Sequence, residues 1–227
     1  MVKRKGFTLI EVTLFLAVTA ALFIGIVWGM QSAINRQRYD EATQEFFEFM
    51  RSVYSKVSNP QSPGSGNSTK AIYGKLVVFS NNAEDQISMY DVVGQAVSSK
   101  NIGEDSLTSM LKTLNVTLTS KEKYNLPWQT TIQKENNGPL FTGSFLVVRH
   151  PRSGTINTLY WNGTQTSNFK NVVTKFSTNA EMLLCISPYP AGQTGPILKR
   201  PVRILAGARN ASDVELIDLG STDNKCN

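Results

Sequence analysis

Residues 1–30 read MVKRKGFTLIEVTLFLAVTAALFIGIVWGM, and this stretch decides how the rest of the chain is arranged. A lysine, an arginine and a lysine precede Gly6, and an apolar run follows in which Glu11 is the only ionisable side chain. As an α-helix, residues 7–30 would be about 36 Å long, which is enough to cross a bilayer. Because the cations favour the cytoplasmic side, we predict a single-pass segment with its N-terminus in the cytoplasm and the following chain outside.

Two other kinds of N-terminal signal compete with this prediction. An ordinary secretory signal needs a short apolar core followed by small residues at a cleavage site. Thr19-Ala20-Ala21 supplies small residues, but the apolar run continues beyond them through Trp28, so a cut there would fall inside the segment. An uncleaved signal anchor needs no further motif, and it stays open as an alternative.

The seven residues from Lys5 to Glu11, Lys-Gly-Phe-Thr-Leu-Ile-Glu, resemble the processing site of type IV prepilins and the related pseudopilins. The resemblance implies that a prepilin peptidase cuts after Gly6, that the new N-terminal residue Phe7 is methylated, and that Glu11 assists assembly. It covers residues 1–30 and says little about the rest of the chain. Many members of that family carry a proline near the position of Trp28, whereas this chain has none there.

The residue types at this site suit the implied chemistry. Gly6 has no side chain, so an extended backbone can approach a peptidase closely. Glu11 lies one helical turn after Phe7, within reach of the free amine of Phe7 from the same chain or from a neighbouring subunit. Pairing with that ammonium would remove the cost of an isolated charge in lipid and would set the axial register between subunits. The alternative is a shallow glutamate at the level of the lipid headgroups.

The helix is predicted to continue beyond the membrane. Apolar residues recur at steps of three and four, at Tyr39, Ala42, Phe46, Phe49, Met50, Val53 and Val57. This spacing is typical of an amphipathic helix that packs on a sheet. Asn59-Pro60 should end the helix, because the residue before a proline is disfavoured in the α region. The predicted organisation is a leader over 1–6, a membrane and filament-core helix over 7–30, its amphipathic continuation over 31–58, and a loop or linker over 59–70.

Residues 71–227 are predicted to form a β-rich head. Runs of β-forming residues bounded by Gly, Pro, Asn or Ser occur at 76–80, 86–93, 116–120, 129–133, 144–149, 155–161, 182–186, 202–205 and 214–219. Residues 106–114 favour a helix, because acidic residues stand near its start. A long N-terminal helix followed by strands predicts an α+β fold with an antiparallel sheet on the outer half of the helix. The resemblance implies the same pilin-like architecture.

The chain contains two cysteines, Cys185 and Cys226. An even pair in an exported domain predicts a disulfide, and two free thiols are the alternative. Closing a loop of about 40 residues would stabilise the fold by roughly 4 kcal/mol in the chain-entropy model. In many pilins a C-terminal disulfide bounds a variable surface loop, and the resemblance implies that layout for residues 187–225.

Composition argues against an enzyme. One histidine, His150, and two cysteines leave no multi-ligand spacing for zinc or an iron–sulfur cluster, so we expect no metal, no cofactor and no catalytic residue. The formal net charge is +6, and removal of the leader would halve it. The remaining excess is too small to indicate a nucleic-acid partner by itself. Two basic runs, residues 149–152 and 199–203, together with Arg209, are the weak basis for a DNA-receiving surface.

These patterns and the resemblance together predict a non-enzymatic structural subunit, a minor pilin of a type IV pilus. Its expected partners are other pilin subunits, the prepilin peptidase and the cytoplasmic membrane, and its expected roles are adhesion, motility or DNA uptake. After assembly the head would be extracellular. The first alternative is a pseudopilin of a type II secretion or competence system, in a periplasmic or cell-wall pseudopilus. The second, from a different class, is an uncleaved single-pass membrane-anchored binding protein.

Overall fold

The structure is a computed structural model. It describes residues 8–59, 70–80, 86–95, 107–135, 139–178, 180–189, 199–218, 220–221 and 225–226. Residues 60–69, most of the predicted linker, lie outside these ranges. The chain divides into two compact units, Met1–Glu41 and Ala42–Asn227, which are described separately.

A single helix, α1, runs from Leu9 to Ser58 and contains 50 residues. Its end coincides with the Asn59-Pro60 pair, at which the sequence predicted a stop. Arg149 supports this end, because its Nη1 donates a hydrogen bond to the Ser58 carbonyl oxygen at 2.8 Å. A cation is favourable here because the carbonyl groups of a last helical turn lack partners within the helix.

The head is built mainly from strands, with two short helices, α2 (Leu107–Thr113) and α3 (Phe169–Val172). The strands are β1 (Lys70–Phe79), β2 (Gln86–Gln95), β3 (Thr117–Asn125), β4 (Thr131–Gln133), β5 (Gly143–Arg149), β6 (Ile156–Trp161), β7 (Ser177–Thr178), β8 (Met182–Ser187), β9 (Arg200–Ile204) and β10 (Val214–Leu216). The α+β class with a long N-terminal helix is thereby confirmed.

The strands form two antiparallel sheets, whereas a single sheet was predicted from the sequence. The first has six strands in the order β3-β2-β1-β5-β6-β7, and the second has four in the order β10-β9-β8-β4. Since β3 belongs to the first sheet and β4 to the second, the chain changes sheets at the Pro127–Gln129 turn. Trp128 and Gln129 both have φ of 57° there, a left-handed conformation that side-chain-bearing residues rarely adopt.

The six-stranded sheet is covered on both faces. On one face, alternate strand residues join α2 and α3 in an apolar cluster that includes Leu76, Leu146, Leu111 and Phe169. The other face receives the outer part of α1, whose predicted apolar stripe is buried from Ala42 to Val57 except at the half-buried Phe49. Strand residues alternate between faces, so this arrangement requires an apolar residue at nearly every central position.

Specific contacts dock the outer part of α1 on the sheet. The Phe49 ring stacks on Tyr124 of β3, with 4.1 Å between the ring centroids. Burial, with the carboxylate of Glu45 as a second cause, raises the pKa of Tyr124. The Tyr54 hydroxyl lies 2.9 Å from Oγ1 of Thr158 in β6. These contacts determine which face of the helix meets the sheet.

A buried ion pair lies in the same sheet. Lys75 of β1 and Asp91 of β2 are cross-strand neighbours, and the Nζ of Lys75 contacts Oδ1 of Asp91. Both residues are buried. Lys75 is also opposite Val147, which in turn is opposite Thr158, so the pair shares a row of the sheet with the partner of Tyr54. Alternation therefore places this pair on the α1 face.

Candidate functional site

The first unit presents an apolar surface. Fifteen large apolar side chains of α1 have exposed fractions between 41% and 81%: Leu9, Ile10, Val12, Leu14, Phe15, Leu16, Val18, Leu22, Phe23, Ile24, Ile26, Val27, Trp28, Met30 and Ile34. A helix of this length and composition can cross a bilayer. An apolar surface of this extent is unfavourable in water, so it requires lipid or other apolar helices around it.

Glu11 lies in the first turn of this helix and closes a capping box with Thr8. The Glu11 Oε2 accepts hydrogen bonds from the backbone N–H of Thr8 and from its hydroxyl, both at 2.9 Å. The Thr8 Oγ1 in turn accepts the backbone N–H of Glu11 at 3.3 Å. Two N–H groups that would otherwise lack partners at the helix start are satisfied in this way.

The role of Thr8 was not predicted from the sequence. The signal was present, because Thr-Leu-Ile-Glu at positions 8–11 matches the Ser/Thr-x-x-Glu pattern of a capping box. Gly6 and Phe7, the residues of the predicted cut and methylation, lie outside the described residues. The structure therefore brings together Thr8 and Glu11, and the processing of the chain stays a prediction.

Gly25 and Gly29 lie on the exposed surface of the same helix. A side-chain carbon added at either position would meet no atom within 4 Å. Neither glycine is needed for packing among the described residues. Two small residues one turn apart leave a shallow strip along which another helix can approach closely.

A disulfide joins Cys185 and Cys226 at the opposite end of the chain. Cys185 lies in β8, an inner strand of the four-stranded sheet, and its Cα is 5.5 Å from that of Cys226. Both residues are fully buried. The bond attaches the C-terminal end of the chain to an inner strand of the head.

Three of the basic residues that suggested a DNA-receiving surface make contacts within the head. Arg149 bonds the end of α1, as described above. The Nη2 of Arg203 donates a hydrogen bond to Oε2 of Glu215 at 2.6 Å. The buried Lys199 donates from Nζ to Oε1 of Gln133 at 2.6 Å, and burial lowers the pKa of Lys199. These contacts provide structural roles for the three side chains, and DNA binding stays an untested prediction.

His150 follows β5 in the turn that leads to β6. Its Nδ1 accepts the backbone N–H groups of Arg152 and Ser153 at 3.2 and 3.1 Å. No cluster of three or more His, Cys, Asp or Glu residues that could hold a metal ion occurs in the part of the chain that the structure describes.

Comparison with known proteins adds no family assignment. No family model, no curated protein and no solved structure matches this chain significantly. Function must therefore be argued from the residues and their arrangement.

Proposed function

We propose that this chain is a structural subunit of a type IV pilus, a minor pilin that assembles through its N-terminal helix. The observation that carries the proposal is that α1 combines an apolar surface of membrane length with a carboxylate, Glu11, in its first turn. A carboxylate within a membrane-spanning helix is unfavourable in lipid unless a partner compensates it. A filament of pilin helices would supply such a partner, the N-terminal ammonium of a neighbouring subunit.

The geometry of Glu11 is compatible with a second partner. Both hydrogen bonds from Thr8 end on Oε2, and no other hydrogen bond to Glu11 comes from the described residues. Oε1 can therefore accept an N–H from the Phe7 ammonium of a neighbouring subunit once the leader has been removed. The charge-assisted bond would form in a low-dielectric filament core, in which such bonds are strong.

The proposal assigns the two units different surroundings. Before assembly, the apolar part of α1 lies in the cytoplasmic membrane with the head outside. In the filament, the same surface lies against the helices of other subunits, and the head faces the solvent. The buried disulfide suits an exported head, because such bonds persist in oxidising compartments.

The leader is the feature to test first. The wild-type chain and the Gly6→Leu variant are expressed in the native host, and the N-terminus and the sheared surface filaments are analysed by mass spectrometry. We expect the wild-type chain to begin at N-methylated Phe7 and to occur in filaments. Gly6→Leu should keep its leader and stay in the membrane fraction, because a bulky side chain obstructs the peptidase. Gly29→Leu is the matched control and should be processed normally.

Glu11→Gln separates processing from assembly. This variant should be cut and methylated like the wild-type chain, yet should stay in the membrane fraction, because an amide cannot pair with the Phe7 ammonium. If the wild-type chain keeps residues 1–6 and Gly6→Leu changes neither its size nor its location, the chain is an anchored binding protein and the proposal fails.

A further inference from the structure

The apolar stretch of α1 is followed by a short uncharged segment and then by two cations. From Leu9 to Trp28 the helix rises about 28 Å, which matches the roughly 30 Å hydrocarbon thickness of a bilayer. Residues 29–35 carry no charge, and Arg36 and Arg38 are the first cations of α1. Both arginines are exposed. The end of the membrane-length stretch is therefore marked by two guanidinium groups.

The depth of Arg36 can be related to that of Trp28. The Trp28 side chain is 78% exposed, and indole rings are enriched at the boundary between hydrocarbon and headgroups. Arg36 lies eight residues further along the helix, a rise of about 12 Å. Helical side chains are directed toward the N-terminus, so a long one covers roughly one turn, about 5 Å, of the preceding helix. The guanidinium of Arg36 can thus lie about 7 Å beyond Trp28, within the headgroup layer, which is about 5–7 Å thick.

The two arginines lie on different sides of the helix. With 3.6 residues per turn, positions two apart are rotated by about 200° around the helix axis, so Arg36 and Arg38 are on nearly opposite sides. A single partner helix could contact only one of these sides closely. Lipids surround a spanning helix on every side, so a lipid surface can meet both cations.

The order of charges along α1 also favours an anionic membrane surface. Asp40 and Glu41 come after both arginines, farther from the apolar stretch. Glu41 accepts a hydrogen bond from Nε2 of Gln37 at 2.9 Å. Anionic headgroups attract cations, so the cations are the groups expected on the membrane side. A guanidinium has five N–H donors, so a contact with a neighbouring side chain leaves others for a phosphate.

We propose that Arg36 and Arg38 bind the phosphate groups of anionic phospholipids at the outer surface of the cytoplasmic membrane. Arg36 makes the direct contact. Arg38, about 3 Å farther along the axis, adds attraction within the screening distance of about 8 Å. The proposal rests on the membrane stage of the proposed function and not on filament assembly, so it applies equally to an uncleaved anchored protein.

Trp28 provides a fluorescent reporter beside the two arginines. The full chain is reconstituted in mixed vesicles of phosphatidylcholine and phosphatidylglycerol, in which one lipid or the other carries bromine atoms high on its acyl chains. Trp28→Phe, measured alongside, subtracts the signals of Trp128 and Trp161. We expect stronger quenching when phosphatidylglycerol carries the bromine, equivalent to about a twofold or greater preference for that lipid, because anionic lipid collects around the arginines.

Variants locate the preference. Arg36→Gln/Arg38→Gln should bring it close to equality, whereas Arg36→Lys/Arg38→Lys should keep most of it because the charge is retained. Lys170→Gln/Arg209→Gln removes the same charge from exposed positions of the head and should leave the preference unchanged. Equal preferences in the wild type and Arg36→Gln/Arg38→Gln would overturn the lipid contact alone. A Trp28 that neither brominated lipid quenches would overturn it together with the membrane stage of the proposed function.

Discussion

Tyr54 connects the helix to the sheet through a hydrogen bond whose direction can be assigned. The Thr158 hydroxyl donates its only proton to the Ala208 carbonyl at 2.7 Å, so the Tyr54 hydroxyl must be the donor in its contact with Thr158. Burial is the main cause that raises the pKa of Tyr54 to about 12, and the charge of Asp213 adds to it. Ionisation of the Tyr54 hydroxyl would remove the proton that it donates to Thr158 and would place a negative charge in a buried position.

The stability of the head should therefore depend on Tyr54 at alkaline pH. An unfolded tyrosine has a pKa of about 10, so its neutral form stabilises the fold fully below that pH, and this contribution is lost as pH rises through about 12. Tyr54→Phe should cost about 1 kcal/mol at neutral pH, from the lost hydrogen bond. Between pH 10 and 12 the difference in unfolding free energy between wild type and variant should shift against the wild type by roughly 2 kcal/mol. Guanidinium unfolding of the full chain in detergent micelles measures it, and a difference that does not change with pH would contradict the assignment.

At the scale of elements, β1 and β2 pair along their length. Each strand carries one charged residue at the same position of this pairing, Lys75 in β1 and Asp91 in β2. Lys75 and Asp91 are buried against the α1 face, so each charge depends on the other for compensation. By contrast, Arg51 and Glu48 on α1 are 3.7 Å apart with largely exposed side chains. Pairs of the second kind contribute little, because water and salt screen them. The buried pair instead fixes the register of β1 against β2 at the centre of the sheet.

Asp91→Ala should destabilise the head by about 3–5 kcal/mol, because it leaves the Lys75 ammonium buried without its partner. The double variant Lys75→Met/Asp91→Leu should recover most of that loss, since it removes both charges and fills the space with apolar groups. Glu48→Gln is the control for loss of a carboxylate and should have little effect. Denaturant unfolding in micelles measures all three variants, and a double variant as unstable as Asp91→Ala would show that the pair has a further role.

At the scale of the whole molecule, the chain consists of a helical segment with an exposed apolar surface and a head with its own buried core. The second unit contains both described sheets and the disulfide. The disulfide closes a loop between Cys185 and Cys226, which are 41 residues apart in sequence. Its stabilising effect comes chiefly from restricting the unfolded chain, so it acts on the head as a whole.

Removal of the disulfide should lower the unfolding free energy of the head by about 4 kcal/mol. Cys185→Ala/Cys226→Ala and the reduced wild-type chain should show similar losses in denaturant unfolding. Reducing agent should not destabilise the double variant further, which controls for effects on other parts of the chain. Equal stability of the oxidised and reduced wild-type chains would contradict the prediction.

Patterns within short stretches of sequence predicted most of the elements. The α1 stop at Asn59-Pro60 and the strands around Val77, Leu146 and Leu184 depend on the identity of a few neighbouring residues, so the sequence was sufficient there. β3 was predicted to end at residue 120 but continues to Asn125 through Lys121-Glu122-Lys123. Charged residues are poor strand formers, yet backbone pairing with β2 and a position at the sheet edge accommodate them.

The sequence by itself determined the apolar segment, the place of Glu11 in it, the α+β class and the pair of cysteines available to bond. Tertiary structure alone decided the division into two sheets, the burial of Lys75 beside Asp91 and the contact of Tyr54 with Thr158. The physical reason is distance along the chain. Helix periodicity and capping arise from residues within one or two turns, whereas strand order and the packing between elements depend on contacts between residues far apart in sequence, which no local pattern encodes.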